Sequence, residues 1–187
     1  MIPIKNKKKA LEVTIEEMRN FSFAYLDKYA PSKQQLKTYL LKKYLKSSIP
    51  TVKKKDISEL INLVIEDLEK TKFISDKFYS ESKAKSLIQK GSSINKIKNY
   101  LISKGIKDHH IKETINKIKE NNEDQDFFSA IKVCKKKRIG PAREQDNREL
   151  FYKKDISILA RSGFDFETSK KILEIEKDDY LRIVRLL

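Results

Sequence analysis

The chain is poor in the residues that make turns, with 4 glycines and 4 prolines among 187 residues. A protein of many short strands needs a turn every few residues, and this supply is too small for one. Tryptophan is absent and Cys134 is the single cysteine. One thiol cannot form an intramolecular disulfide, which points to a reducing compartment, the cytoplasm. No apolar stretch approaches the roughly 20 residues of a membrane-spanning helix. The opening MIPIKNKKKALEV lacks the apolar run of a signal peptide. The glycines stand apart at 91, 105, 140 and 163, so no glycine-rich phosphate loop can be assembled. His109 and His110 are adjacent and have no Cys or Asp partner at metal-ligand spacing. Nothing resembles a nucleophile elbow. The expectation is a protein that is not an enzyme, with no catalytic residue, cofactor or metal.

What the chain does have is charge and helical periodicity. Hydrophobic residues make up 39% and charged residues 37%, with a net charge of +15. Basic excess sits in residues 1–60 and 127–187 and is slight between them. AT-rich coding inflates lysine everywhere, but it does not explain clusters at residues 7–9, 53–55 and 135–138. Such runs contact a polyanion or keep a face solvated. Cys134 follows Phe127 and Ile131 at helical spacing and reads as core.

The helix signals are regular. Thr14 with Glu17 reads as a capping box opening a helix to about Ala30, where Pro31 breaks it. Ser32 with Gln35 opens a second helix, carrying Leu36, Leu40 and Tyr44. A turn over residues 47–51 precedes a third, whose stripe is Ile57, Leu60, Ile61, Val64, Ile65 and Leu68. In residues 90–106, KGSSINKIKNYLISKGI, Ser92 or Ser93 caps a helix whose apolar face is Ile94, Ile97, Tyr100 and Leu101. Gly105 follows its last turn as a left-handed cap. A shift of 61 residues aligns Leu26, Leu36, Lys37, Tyr39 and Leu40 with Leu87, Ile97, Lys98, Tyr100 and Leu101. A further shift of 58 aligns Leu101, Gly105, Ile106 and Ile115 with Leu159, Gly163, Phe164 and Leu173. A period near 60 suits a three-helix module, and such modules must pack on neighbours to bury their faces. The expected fold is all-α, an elongated, curved array of three tandem three-helix modules. A basic tail would cover 1–13, and the modules 14–72, 73–122 and 123–187, the last with a C-terminal helix. Phe21, Phe23, Tyr25, Phe73, Phe78, Phe127 and Phe151 are expected mostly in the core, leaving Tyr29, Tyr79 and Tyr152 as surface rings.

Three stretches together resemble the RecX family of recombinase regulators, its alphaproteobacterial members in particular. AYLDKYAPSKQQLKTYLLKKYLKS at 24–47 is similar to the family's first module. FISDKFYSESKAKSLIQKGSSINKIKNYLISKGI at 73–106 is similar to the second. KKKRIGPAR at 135–143 and KKDISILARSGFDFETSKKIL at 153–173 resemble the third. Where the family is arginine-rich this chain is largely lysine, so point charges replace bidentate forks. The resemblance implies modules lying in the groove of a RecA–DNA filament, limiting its growth, ATPase and strand exchange, with no cofactor. On that reading the candidate contacts are Lys37, Lys42, Lys43, Lys98, Lys104, Lys135, Lys136, Lys137, Arg138, Arg143 and Arg161. The protein would be a monomer, with DNA alone bound weakly or indirectly and no membrane partner. Two other readings fit the charge: a nonspecific nucleic-acid binder, and a basic helical adaptor for another acidic protein.

Overall fold

In a computed structural model of the chain, residues 11–46 and 52–187 are described. The basic run at 7–9 and the turn at 47–51 lie outside them. Among the described residues the fold is all-α, without a strand. Its helices are α1 (Ile15–Leu26), α2 (Lys33–Lys46), α3 (Lys54–Lys70), α4 (Asp76–Gln89) and α5 (Ile94–Ser103). Then come α6 (Asp108–Asn121), α7 (Gln125–Lys137), α8 (Gln145–Arg161), α9 (Phe166–Leu173) and α10 (Lys177–Leu186), with a 3-10 turn at Gly140–Ala142. The chain divides into two compact units, Met1–Tyr79 and Ser80–Leu187, and the division falls inside α4.

In the first unit α1 starts where Thr14 Oγ1 accepts from the Glu17 amide, 3.2 Å. It stops at Leu26, short of Ala30, where the amides of Lys28 and Tyr29 both turn back to the Tyr25 carbonyl, and Pro31 keeps Ala30 from resuming the helix. Ser32 and Gln35 form the reciprocal box: each amide donates to the other's side chain, at 3.0 and 3.2 Å. The stripe of α3 packs Ile57, Ile61, Val64, Ile65 and Leu68 onto Met18, Leu36 and Leu40. Leu11 and Val13 pack on the same core, so the segment expected as loose tail is anchored at its end.

In the second unit Ser93 caps α5, its Oγ accepting from the Lys96 amide at 3.1 Å, and Ile97 and Leu101 are fully buried. A separate cluster joins Ile131 and Cys134 of α7 to Leu159 of α8 and Ile172 of α9. Several apolar positions that align in sequence share environments, although Ile115 is half-buried where Leu173 is buried. Leu36 and Ile97, and Leu40, Leu101 and Leu159, are all inaccessible to solvent. Gly105 and Gly163 have φ of +73° and +91°. A further correspondence involves acid caps. Asp76 at the start of α4 accepts from the Lys33 amide (2.9 Å), and Asp126 in α7 accepts from the Ile94 amide (2.7 Å). Residues 33 and 94 are again 61 apart. Each acid satisfies an N–H that a helix start leaves without a partner.

Two helix ends depart from the glycine rule. Lys72 after α3 has φ +61° and Arg138 after α7 has φ +54°. A side chain in left-handed backbone costs about 1–2 kcal/mol, which the surrounding structure must offset.

Candidate functional site

The aromatic rings are placed differently from the sequence expectation. Phe23, Phe73 and Phe78 are exposed, whereas Tyr79 is buried. The cause is the register of α4. Asp76 points inward to cap α2, so residues three and four positions on, Tyr79 and Ser80, share its inner face and Phe78 faces out. Tyr29 is exposed, as expected, and tilts against Tyr25, whose ring stacks on Tyr39 with centroids 4.2 Å apart. Tyr152 is half-buried against the second unit's core.

Apart from Arg143, the candidate cations fall into four settings. On α2, Lys42 is exposed, Lys37 half-buried, and the Lys43 ammonium lies 3.8 Å from the centre of the Phe21 ring. On α5, Lys98 is exposed, and Lys104 sits 5.2 Å over Tyr100. Lys98 also helps, after the hydrogen bond from Lys112, to hold the exposed Asp108 carboxyl below its ordinary range. At the end of α7, Lys135, Lys136, Lys137 and Arg138 are all exposed on one turn. Arg161 is exposed with its Nε donating to the Ser157 carbonyl, 3.1 Å.

Of these groups only residues 135–138 form a dense cluster. They stand at the negative end of the α7 dipole, which accounts for part of their placement. Lys53, Lys54 and Lys55 are different: they are exposed at the start of α3, the positive end, where helix electrostatics disfavour cations. The helix dipole therefore does not explain that second run, although Lys55 reaches Glu59 one turn on, 3.9 Å.

Arg143 corrects the sequence reading. Its guanidinium does not reach outward but grips Asp155 of α8, Nε to Oδ2 at 2.7 Å and Nη2 to Oδ1 at 2.8 Å. The Gly140 amide donates a third bond to Asp155, 2.8 Å, and the Arg143 plane lies 4.4 Å over Phe151. Asp155 is 1% exposed, so its charge is held by partners in place of water. The pairing raises the Arg143 pKa further above its ordinary value. This bridge pins the Gly140–Ala142 turn beside the basic run. Arg148 similarly donates to the Leu173 and Ile175 carbonyls, 2.7 and 2.6 Å, closing the end of α9. Sequence reasoning passed over both Asp155 and Arg148. The available signal was Asp155 itself, an acid four residues before Leu159 on the apolar face of its helix.

Cys134 is wholly buried, and burial, helped by the Asp155 charge, pushes its thiol up to about 12. A thiol so protonated is inert as a nucleophile. Among the described residues no group of three His, Cys, Asp or Glu could hold a metal ion, and no helix is long and apolar enough to cross a membrane.

No family profile matches the sequence. Regulatory protein RecX of Myxococcus xanthus is 28% identical over 169 residues, covering 89% of this chain and 89% of its own length. Regulatory protein RecX of Clostridium acetobutylicum is 29% identical over 152 residues, 79% of this chain and 70% of its own. Among solved structures, a regulatory protein RecX superposes with a TM-score of 0.61 at 16% identity, over 86% of this chain and 74% of that one. RecX from Lactobacillus salivarius superposes at 0.57 with 18% identity, over 92% and 97%. Those two share the fold. Two relatives of that name match along most of the sequence, so the chain is similar to regulatory proteins RecX over 79% or more of its length.

Proposed function

We propose that this protein regulates the RecA recombinase by binding the RecA–DNA filament and holding down its growth, ATPase and strand exchange. The observation that carries the reading is the likeness to proteins named regulatory protein RecX over 79% or more of the chain. The physical setting supports it. A nucleoprotein filament is a long polyanion, and the basic groups here are spread over α2, α3, α5 and α7. Many weak contacts along such a partner add through effective concentration and counterion release. Lys42, Lys98, the run 135–138 and Arg161 are the proposed contacts. Lys37, Lys43 and Lys104 contribute from half-buried positions, and Arg143 acts behind them by fixing the turn that follows the run. The proposal includes three modules, 14–72, 73–122 and 123–187, in a monomer that acts in the cytoplasm without catalysis or a cofactor. DNA alone is a weak or indirect partner.

Co-sedimentation tests this against the two simpler readings. The protein is expected to pellet with RecA filaments on DNA more strongly than with bare DNA at physiological salt. Equal recovery with bare DNA would favour a plain nucleic-acid binder. Recovery with neither would leave only an adaptor for another acidic partner, and the proposal would fail.

A further inference from the structure

The corner after α3 has the same backbone bonds as the corner after α8. The amides of Thr71, Lys72 and Phe73 donate to Asp67, Glu69 and Leu68, as those of Ser162, Gly163 and Phe164 donate to Ile158, Ala160 and Leu159. Two neighbouring residues differ in role. Where α5 and α8 have glycine and then a buried apolar residue, α3 has Lys72 and then Phe73, 61% exposed. The core resumes only at Ile74. Folding therefore explains neither the lysine in left-handed backbone nor the phenylalanine in water.

Phe73 meets Phe23 of α1 edge to face, with centroids 5.1 Å apart, and Phe23 is itself 37% exposed. The two rings, with Ala24, Leu26 and Asp27, line an open hollow of about 530 Å³. No ion pair engages Lys70 or Lys72 among the described residues. Exposed rings beside free cations match a ligand that alternates flat π faces with phosphates. A single-stranded nucleic acid has that form, whereas a duplex keeps its base faces stacked inside. An acidic apolar peptide suits the site less well, because it lacks the regular succession of flat π faces that exposed rings stack against.

We infer that the Lys72–Phe73 corner is a contact site for single-stranded nucleic acid. A base stacks on the exposed Phe73 ring with the Phe23 ring nearly perpendicular beside it, Lys72 holds an adjoining phosphate, and Asp27 accepts from an exocyclic amino group. This goes beyond filament regulation, since it gives the first unit a direct ligand of its own.

The test uses the full chain and a fluorescein-labelled single strand of about 12 nucleotides, with a duplex of equal length as control, read by anisotropy at low salt. Phe73→Ala is expected to weaken single-strand binding about tenfold and to leave duplex binding unchanged, and Phe73→Trp to restore it. Lys72→Gly is expected to weaken binding and reduce the salt slope by about one counterion, while raising thermal stability. Parental single-strand affinity in both Phe73→Ala and Lys72→Gly would overturn the site, even if an acidic peptide were found to bind there. An equal loss for single strand and duplex would overturn the stacking. Recombinase is absent from the assay, so failure here leaves the filament reading untouched.

Discussion

Arg19–Asp67 in the first unit and Arg143–Asp155 in the second close to nearly the same distance, 2.6 and 2.7 Å. Their surroundings separate them. Arg19 and Asp67 are 43% and 45% exposed, so water screens the pair and both side chains lose rotamer freedom to hold it. Asp155 lies inside, receives three hydrogen bonds, and connects α8 to the turn after α7. Distance alone ranks the pairs as equals, and burial shows that only the second organises its unit. The same contrast recurs at the helix corners, where one bond pattern carries a lysine in one unit and glycine in the other.

The largest expected effect would break this comparison if absent. Asp155→Ala leaves Arg143 and the Gly140 amide unpaired and should cost about 3–5 kcal/mol, whereas Asp67→Ala should cost under about 1 kcal/mol. Urea denaturation of the two variants reads both numbers, and equal losses would remove burial as the deciding factor. Next come the glycine corners. Gly163→Val should exceed Gly105→Val, because a Cβ at Gly163 would lie 2.4 Å from Ser93 Oγ, whereas Gly105 is exposed. Backbone strain alone accounts for about 1–2 kcal/mol at Gly105, and thermal melts that match the parent would contradict both assignments.

How much of this was legible in the sequence depends on whether one stretch carried its own explanation. Thr14, Ser32 and Ser93 announced helix starts, since a cap and the amides it serves lie within three residues. Gly105 and Gly163 announced corners because few other residues take positive φ cheaply. Lys72 and Arg138 gave no such sign, being ordinary helix formers in a strained role. Asp76 and Asp126 cap helices that begin 43 and 32 residues earlier, a relation no local pattern shows. Arg143 looked like one more cation of the basic run until Asp155 was found beneath it. The rings were misplaced for a similar reason: Phe78 and Tyr79 are equally apolar, and only the inward turn of Asp76 decides between them.

Alkaline titration sharpens the comparison further, because Cys134 belongs to the second unit. Its thiol is raised from 9.0 to about 12 in the folded state. Between those values the unfolded chain has released a proton that the folded chain keeps, so stability falls as pH rises. The slope should approach about 1.4 kcal/mol per pH unit. Below pH 10 the second unit should weaken first, as the buried Tyr44 of the first, raised chiefly by its own burial, starts from an ordinary value of 10.0. Hydrogen exchange resolved by residue reads the order, and simultaneous loosening would contradict it. Lys136→Glu with Lys137→Glu should lower stability by up to about 1 kcal/mol through the α7 dipole. On the filament reading it should also cut inhibition at least tenfold and flatten the salt dependence. An unchanged inhibition curve would reduce the run to a helix cap. Lys72→Gly has the smallest effect, a gain of up to about 1 kcal/mol from relieved strain.

The central claim is regulation of RecA, and the DNA-dependent ATPase of RecA tests it most directly. With the recombinase assembled on single-stranded DNA and this protein added up to stoichiometric amounts, the account predicts a progressive fall in ATP turnover. The protein alone should hydrolyse nothing. An unchanged RecA rate at stoichiometry, or nucleotide hydrolysis by the protein itself, would contradict it.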